Sequence, residues 1–138
     1  MKYLLDTHIL IYLIKNRPPS IASKVDGLDD ADTLNMSFVT FAELLKGAER
    51  SSRKARVLSR LDALTQQIPV LYPTHSAICR HYAEQFTQLK AEGTPIGGND
   101  LWIACHALAI EGTLVTHNTR EFSRITGLQI EDWVTDTG

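Results

Sequence analysis

Tyr3-Leu4-Leu5-Asp6-Thr7-His8-Ile9-Leu10-Ile11-Tyr12-Leu13-Ile14-Lys15 decides how the chain is read. Tyr3-Leu4-Leu5 has the length and apolarity of a short buried strand. Asp6-Thr7 is a stop for that strand and a start for a helix, because either side chain can accept from the free N–H groups of the first turn. Ile9 to Lys15 then carries the helix. Asn16-Arg17-Pro18-Pro19 ends it, since a proline forces the residue before it out of the helical region. A strand running straight into a helix is the unit from which parallel sheets are built.

The same unit recurs. Pro19 to Val25 is a short amphipathic stretch, followed by a loop from Asp26 to Asp32. Leu34 to Phe38 is a second strand, and Thr40 to Arg50 the helix after it. Ser52 to Gln67 is a further helix with an apolar stripe of Val57, Leu58, Leu61 and Leu64. Ile68-Pro69-Val70-Leu71 reads as an edge strand, because proline leaves a ladder position unpaired. Thr74 to Ala91 is a long helix expected to bury Ile78, Tyr82, Phe86 and Leu89. The turn-rich segment from Glu92 to Asn99 delivers Asp100 to a central helix, Leu101 to Ile110, which Gly112 ends. Thr113 to Thr116 is another parallel strand, followed by a helical turn around Arg120 to Ile125 and by Leu128 to Trp133. Short apolar strands alternating with helices imply a parallel sheet covered on both faces.

In such a sheet, ligands gather outside the carboxyl ends of the strands. Asp6 follows the first strand, Glu43 lies one turn into the helix after the second, and Asp100 opens the helix before the Thr113–Thr116 strand. Asn118 and Glu121 follow that strand. Four distant segments can therefore bring acids to one rim. Packed carboxylates repel, and one must keep its proton unless a cation joins them. Magnesium, which prefers oxygen ligands and keeps several waters, suits such a set and would activate water against a phosphodiester. Singly, each acid has an ordinary reading: Asp6 and Asp100 as helix caps, Glu121 as a solvated surface acid. Asp62, Asp132 and Asp136 are assigned to surface or capping roles. Ser37 and Thr40 could orient a water or phosphate beside Asp6, or simply cap the next helix.

Composition sets bounds on this. The 138 residues are 43% hydrophobic, enough for one domain with a real core. Fourteen basic and 16 acidic side chains leave a formal charge of −2, which argues against a protein held to nucleic acid mainly by a global positive field. Cys79 and Cys105 sit in apolar helical segments and are expected as buried free thiols. Neither zinc-ligand spacing nor a lysine-bearing phosphate loop occurs. No secretory or twin-arginine leader is visible, and the Ile9–Ile14 run is far shorter than the ~20 residues needed to span a bilayer. The expectation is a soluble cytoplasmic protein.

Taken in order, the motifs resemble a known family. Leu4-Leu5-Asp6-Thr7-His8 resembles the first motif of PIN-domain nucleases, and Val39-Thr40-Phe41-Ala42-Glu43-Leu44-Leu45-Lys46-Gly47 the second. Pro95-Ile96-Gly97-Gly98-Asn99-Asp100-Leu101-Trp102-Ile103-Ala104-Cys105-His106-Ala107 is similar to the third. Leu114-Val115-Thr116-His117-Asn118-Thr119-Arg120-Glu121-Phe122, with Gly127-Leu128 and Glu131-Asp132-Trp133, is similar to the closing segment of VapC toxins. The likeness runs from residue 2 to residue 133. It implies a single PIN-like nuclease domain over 1–138, a three-layer α/β/α fold with a small parallel sheet flanked by helices. It also implies a magnesium- or manganese-dependent endoribonuclease, encoded beside an antitoxin that silences it. Asp6, Glu43 and Asp100 take the places of the three core acids. The fourth family acid often falls where this chain has Asn118, so Glu121 substitutes as ligand or water-positioner, with Asn118 hydrogen-bonding nearby. Thr7 and Thr116 would support the site. The closing segment is similar to members that cut the anticodon loop of initiator tRNA.

Around these acids, Lys46, Gly47 and Arg50 follow Glu43 on one helical side, and Arg53, Arg56 and Arg60 extend the basic strip. Such a strip suits RNA backbone contacts, which position without reading sequence; a solvated helix face is the other reading. Trp102 can stack on a base or pack in the core, and core packing is the expectation. Tyr3, Tyr12 and Phe38 are read as core or interface. The first helix is more apolar than one buried face needs, and its surplus suits a homodimer contact or a groove for a VapB-like antitoxin helix. Two other functions remain open: a DNA-directed or structure-specific nuclease, and a non-catalytic nucleic-acid or protein-binding module that keeps the acids.

Overall fold

Tyr3, Leu4 and Leu5 are all buried, so β1 (Lys2–Leu5) has apolar partners on both faces and sits centrally. The computed structural model describes residues 1–134. In chain order the elements after β1 are α1 (Thr7–Lys15), α2 (Pro19–Asp26), β2 (Thr33–Ser37), α3 (Phe38–Glu49), α4 (Lys54–Gln67) and β3 (Val70–Leu71). There follow α5 (Ala77–Ala91), α6 (Gly98–Ala109), β4 (Thr113–Val115), α7 (Thr119–Phe122) and β5 (Gln129–Glu131). The five strands are parallel and ordered β3-β2-β1-β4-β5.

Alternation of side chains along the strands divides the interior into two layers. Tyr3, Leu5, Met36 and Val115 join Ile9, Leu10, Ile21, Leu44 and Leu61 from α1–α4 on one face. Leu4 and Leu114 join Ile78, Leu89, Leu101 and Ile103 from α5 and α6 on the other. The result is the expected three-layer α/β/α arrangement. The Val57, Leu58, Leu61 and Leu64 stripe packs inward, and Pro69 precedes an edge strand, its carbonyl accepting from the N–H of Met36 at 3.0 Å.

Several details depart from the expectation. Asn16 ends α1 in the left-handed conformation (φ 54°), before the prolines act. β2 stops at Ser37, and Phe38 already belongs to α3, because the Ser37 hydroxyl accepts from the N–H of Val39 and starts the helix. α5 begins at Ala77 rather than Thr74, with His75 Nδ1 taking the N–H of Ala77 at 3.3 Å. Phe86, expected in the core, is 47% exposed. Gln85 is buried in its stead because its amide is satisfied at both ends by Thr126, donating to the carbonyl at 3.1 Å and accepting from the N–H at 3.2 Å. Tyr82 is half-buried and stacks on Trp102 at 3.9 Å, so that Trp102 packs within the protein. Cys105 is buried, whereas Cys79 is exposed; both are free thiols. Gly112 approaches the Lys2 carbonyl so closely that a Cβ there would meet it at 3.0 Å. Asp136 lies outside the described residues. No helix among those described is long and apolar enough to cross a membrane.

Two truncations test this division of the core. Leu114→Ala, at a fully buried central strand, is expected to lower unfolding free energy by ~2–5 kcal/mol. Phe86→Ala should lower it by less than ~1 kcal/mol. Denaturant midpoints at unchanged slope measure both.

Candidate active site

The strand order reverses between β1 and β4, which opens a crevice at their carboxyl ends. Asp6 is the first residue past β1, and its N–H is still tied to the Val115 carbonyl at 3.0 Å. Its side chain is only 5% exposed and serves two purposes at once. Oδ1 caps α1 by accepting from the N–H of Ile9 at 3.0 Å, while Oδ2 accepts from the Thr116 hydroxyl at 2.5 Å. Thr116 in turn accepts from the N–H of Asn118 at 3.0 Å, which sets the path of the chain leaving β4. Cap and rim residue are therefore one and the same.

Glu43 reaches the rim from the second turn of α3. The Thr7 hydroxyl donates to its Oε1 at 2.7 Å and also lies 3.4 Å from the Thr40 hydroxyl. A hydroxyl has one proton, and the shorter contact to a carboxylate takes it. Asn99 Nδ2 donates to Glu43 Oε2 at 3.4 Å, linking α3 to the first turn of α6, where half-buried Asp100 stands. Past β4, the Asn118 amide donates to Glu121 Oε2 at 2.5 Å.

Electrostatics tie these groups together. Burial, followed by the charges of Glu121, Glu43 and Asp6 and opposed by His8, pushes the Asp100 carboxyl up to about 6. Asp6 is also raised, chiefly by burial and least by Glu43, against the bonds from Thr116 and Ile9 and the charge of His8. Asp100 thus senses the charges of Glu121, Glu43 and Asp6 from three other segments, and Asp6 that of Glu43. All their donors are hard carboxylate oxygens, the chemistry that magnesium or manganese accepts. Among the described residues, no three His, Cys, Asp or Glu side chains stand close enough to grip one ion together. An ion that keeps several waters does not need them to, because one or two direct carboxylates suffice. The donor set fits such an ion.

Other expected residues fall elsewhere. Ser37 is fully buried, occupied by the α3 cap and by His106 Nδ1 at 2.8 Å, so its hydroxyl does not join the acids. Thr40 is buried beside Thr7. Lys46, Arg50 and Arg53 are exposed along the end of α3 and the start of α4, and a Cβ on Gly47 would meet nothing within 4 Å. Asp132 accepts from the N–H of Val134 and pairs with His117 at 3.0 Å. Sequence reading passed over Asn99 and His8. The turn-rich sequence around Asn99 reads as loop, and its place directly before Asp100 is the available signal. His8 carried none beyond adjacency to Thr7.

The raised carboxyls have a measurable consequence in metal-free protein. A carboxyl raised in the folded state gives stability that is fully present below the unfolded value of ~3.9. That stability is lost as pH rises through about 6. Asp100→Asn, which mimics the protonated form, should therefore melt progressively higher relative to the parent chain as pH is raised from 5 to 7, by a few degrees in all. A pH-independent difference in melting temperature would contradict this.

Comparison with known proteins agrees with this geometry. The family model for the PIN domain matches residues 3–128. A protein named ribonuclease VapC1 from Haemophilus influenzae strain R2866 is 52% identical over 133 residues, covering 96% of this chain and 98% of that protein. A Shigella flexneri protein named tRNA(fMet)-specific endonuclease VapC is 37% identical, covering 96% and 98%. A solved structure of VapBC-1 from nontypeable Haemophilus influenzae superposes with a TM-score of 0.92 at 51% identity, covering 98% of this chain and 100% of that one. With the parallel sheet, the rim acids and these matches in hand, the chain belongs to the PIN domain family, as a VapC-type member.

Proposed function

We propose that this protein is the ribonuclease toxin of a toxin–antitoxin pair, hydrolysing phosphodiester bonds in structured RNA with magnesium or manganese at the Asp6, Glu43, Asp100 and Glu121 rim. The observation that supports it most is the convergence of charge from Glu121, Glu43 and Asp6 on Asp100 in a chain 52% identical to a protein named a ribonuclease. The initiator tRNA anticodon loop is the proposed target, supported by the printed name of the Shigella flexneri relative. A VapB-like antitoxin is the proposed partner, supported by the likeness to VapBC-1. Its helix would take the groove lined by Leu13, Ile14, Val25, Leu34 and Leu64, where Ile14 is 37% exposed. The proposed site of action is the cytoplasm.

When bound, the cation supplies Lewis acidity toward the phosphodiester and its attacking water. The protein does the rest. Asp6 is held at both oxygens, each of which keeps a further lone pair for a ligand or water. Thr7 and Asn99 orient Glu43, and Asn118 orients Glu121 for ligation or for positioning water. Thr116 connects Asp6 to the Asn118 segment, tying together the chain ends that leave β1 and β4. Lys46, Arg50 and Arg53 provide charge for the RNA backbone.

Purified, antitoxin-free protein incubated with total RNA and either metal is expected to give discrete new ends, mapped by sequencing and abolished by EDTA. Asp6→Asn should lower cleavage by roughly a hundredfold or more while keeping the α1 cap, since asparagine caps a helix about as well as aspartate, and circular dichroism checks that the variant is folded. Folded protein without variant-sensitive cuts would overturn the ribonuclease reading. Cleavage indifferent to removal of the 2′-hydroxyl, with DNA cut as readily, would turn it towards a DNA-directed enzyme.

A further inference from the structure

The helix that carries Asp100 begins without a cap of its own. Gly97 stands at the N-cap position of α6 with no side chain to accept from the first turn. Asn99 and Asp100 both belong to that turn, so its placement sets where the α6 acid meets the rim. The Gly97 carbonyl accepts from the N–H of Leu101 at 2.9 Å, and a Cβ on Gly97 would lie 3.8 Å from Asp100 Oδ2. The backbone at Gly97 thus runs directly beside the carboxylate.

Arg124 anchors this backbone from outside the helix. Its Nη1–H donates to the Pro95 carbonyl at 3.1 Å, two residues before Gly97. Its own N–H bonds the Glu121 carbonyl, also at 3.1 Å. A single half-buried residue therefore holds the α5–α6 loop by its side chain and α7 by its backbone. A charged donor makes the stronger kind of hydrogen bond to such a carbonyl. Packing secures the same junction, where Ile96 of the loop joins the cluster containing buried Phe122 and Ile125. Two bonds between Gln85 and the Thr126 backbone fix the turn just beyond Arg124. The acids on either side of the junction are close partners, since the charge of Glu121 acts on Asp100 more than that of Glu43 or Asp6.

We infer that Arg124 is a positioning residue for the rim, clamping the Pro95 carbonyl so that the first turn of α6 presents Asp100 against Glu121. Among the described residues it forms no ion pair with either carboxylate, and it acts through the loop backbone. Its consequence for metal rests on the reading of the rim as a cation site; the backbone clamp does not.

The full chain carries the test in two variants. Arg124→Met removes the donor and keeps an apolar stem, whereas Arg124→Lys keeps a charged donor. In EDTA, amide exchange is followed at Leu101 in α6 and at Leu114 in β4. Arg124→Met is expected to speed exchange at Leu101 about tenfold, the order for one lost hydrogen bond to a charged group, and to leave Leu114 unchanged. Manganese binding is read from the paramagnetic resonance signal of the free ion, with Asp100→Asn marking the part that belongs to the rim. Affinity should fall about tenfold in Arg124→Met, as when a group that orients a ligand is removed. RNA cleavage by that variant should return to near the parent kcat when manganese is raised by the same factor, and Arg124→Lys should stay close to the parent throughout. Unchanged exchange and affinity in Arg124→Met overturn the clamp, while RNA cleavage by the parent leaves the ribonuclease reading standing. Faster exchange with unaltered affinity, or equal acceleration at Leu114, reduces Arg124 to a structural role and overturns the proposal as well. Parent protein that binds no manganese at the rim overturns the positioning role together with the metal reading. Both effects in a parent that binds manganese but cuts no RNA retain the clamp and overturn the ribonuclease reading instead.

Discussion

The bond from the Thr116 hydroxyl to Asp6 Oδ2 spans the ends of β1 and β4, where the strand order reverses, and most of the rim depends on it. It holds a carboxylate that is almost wholly buried, and burial of a charge is unfavourable unless hydrogen bonds compensate it. Thr116 and the N–H of Ile9 provide that compensation, one oxygen each. The same two bonds start α1 and, through Asn118, direct the chain towards Glu121. Folding and chemistry therefore draw on one residue, and the repulsion Asp6 exerts on Asp100 follows from its fixed position.

That repulsion gives the site its character. Asp100 is half-buried and also receives unfavourable charge from three acids on three other segments, and together these raise its carboxyl to about 6. In metal-free protein near neutrality, several negative groups are kept together by the sheet and its helices rather than by affinity for one another. Supporting groups bridge these segments, Thr7 from α1 to Glu43 and Asn99 from α6 to Glu43, while Asn118 holds Glu121 within the α7 turn. A cation at this rim would replace repulsion by attraction.

Much of this was legible from the residues. Tyr3-Leu4-Leu5-Asp6 announces a buried strand ending in a cap, and the acids at strand-linked positions follow from the topology that this unit implies. The less legible parts depend on tertiary partners. Phe86 has the helical spacing of a core residue, but Gln85 displaces it because a distant loop at Thr126 satisfies the buried amide. Ser37 has the right position for a site residue, yet β2 ends at it, and its hydroxyl serves the α3 cap and His106. Cys79 lies among apolar neighbours in sequence but on the outer face of α5. Asn99 was hidden because the Gly97-Gly98 turn masks the point where α6 begins. In each case, what decided the outcome was a contact more than thirty residues away or the exact first turn of a helix, neither of which local pattern encodes.

Anomalous diffraction from crystals of the full chain grown with manganese tests the central claim most directly. An anomalous peak within ligand or water-bridged distance of Asp6, Glu43, Asp100 and Glu121, lost in Asp100→Asn crystals, is the expected result. Well-ordered parent crystals at saturating manganese with no peak at that rim, or with the ion held elsewhere, would contradict it.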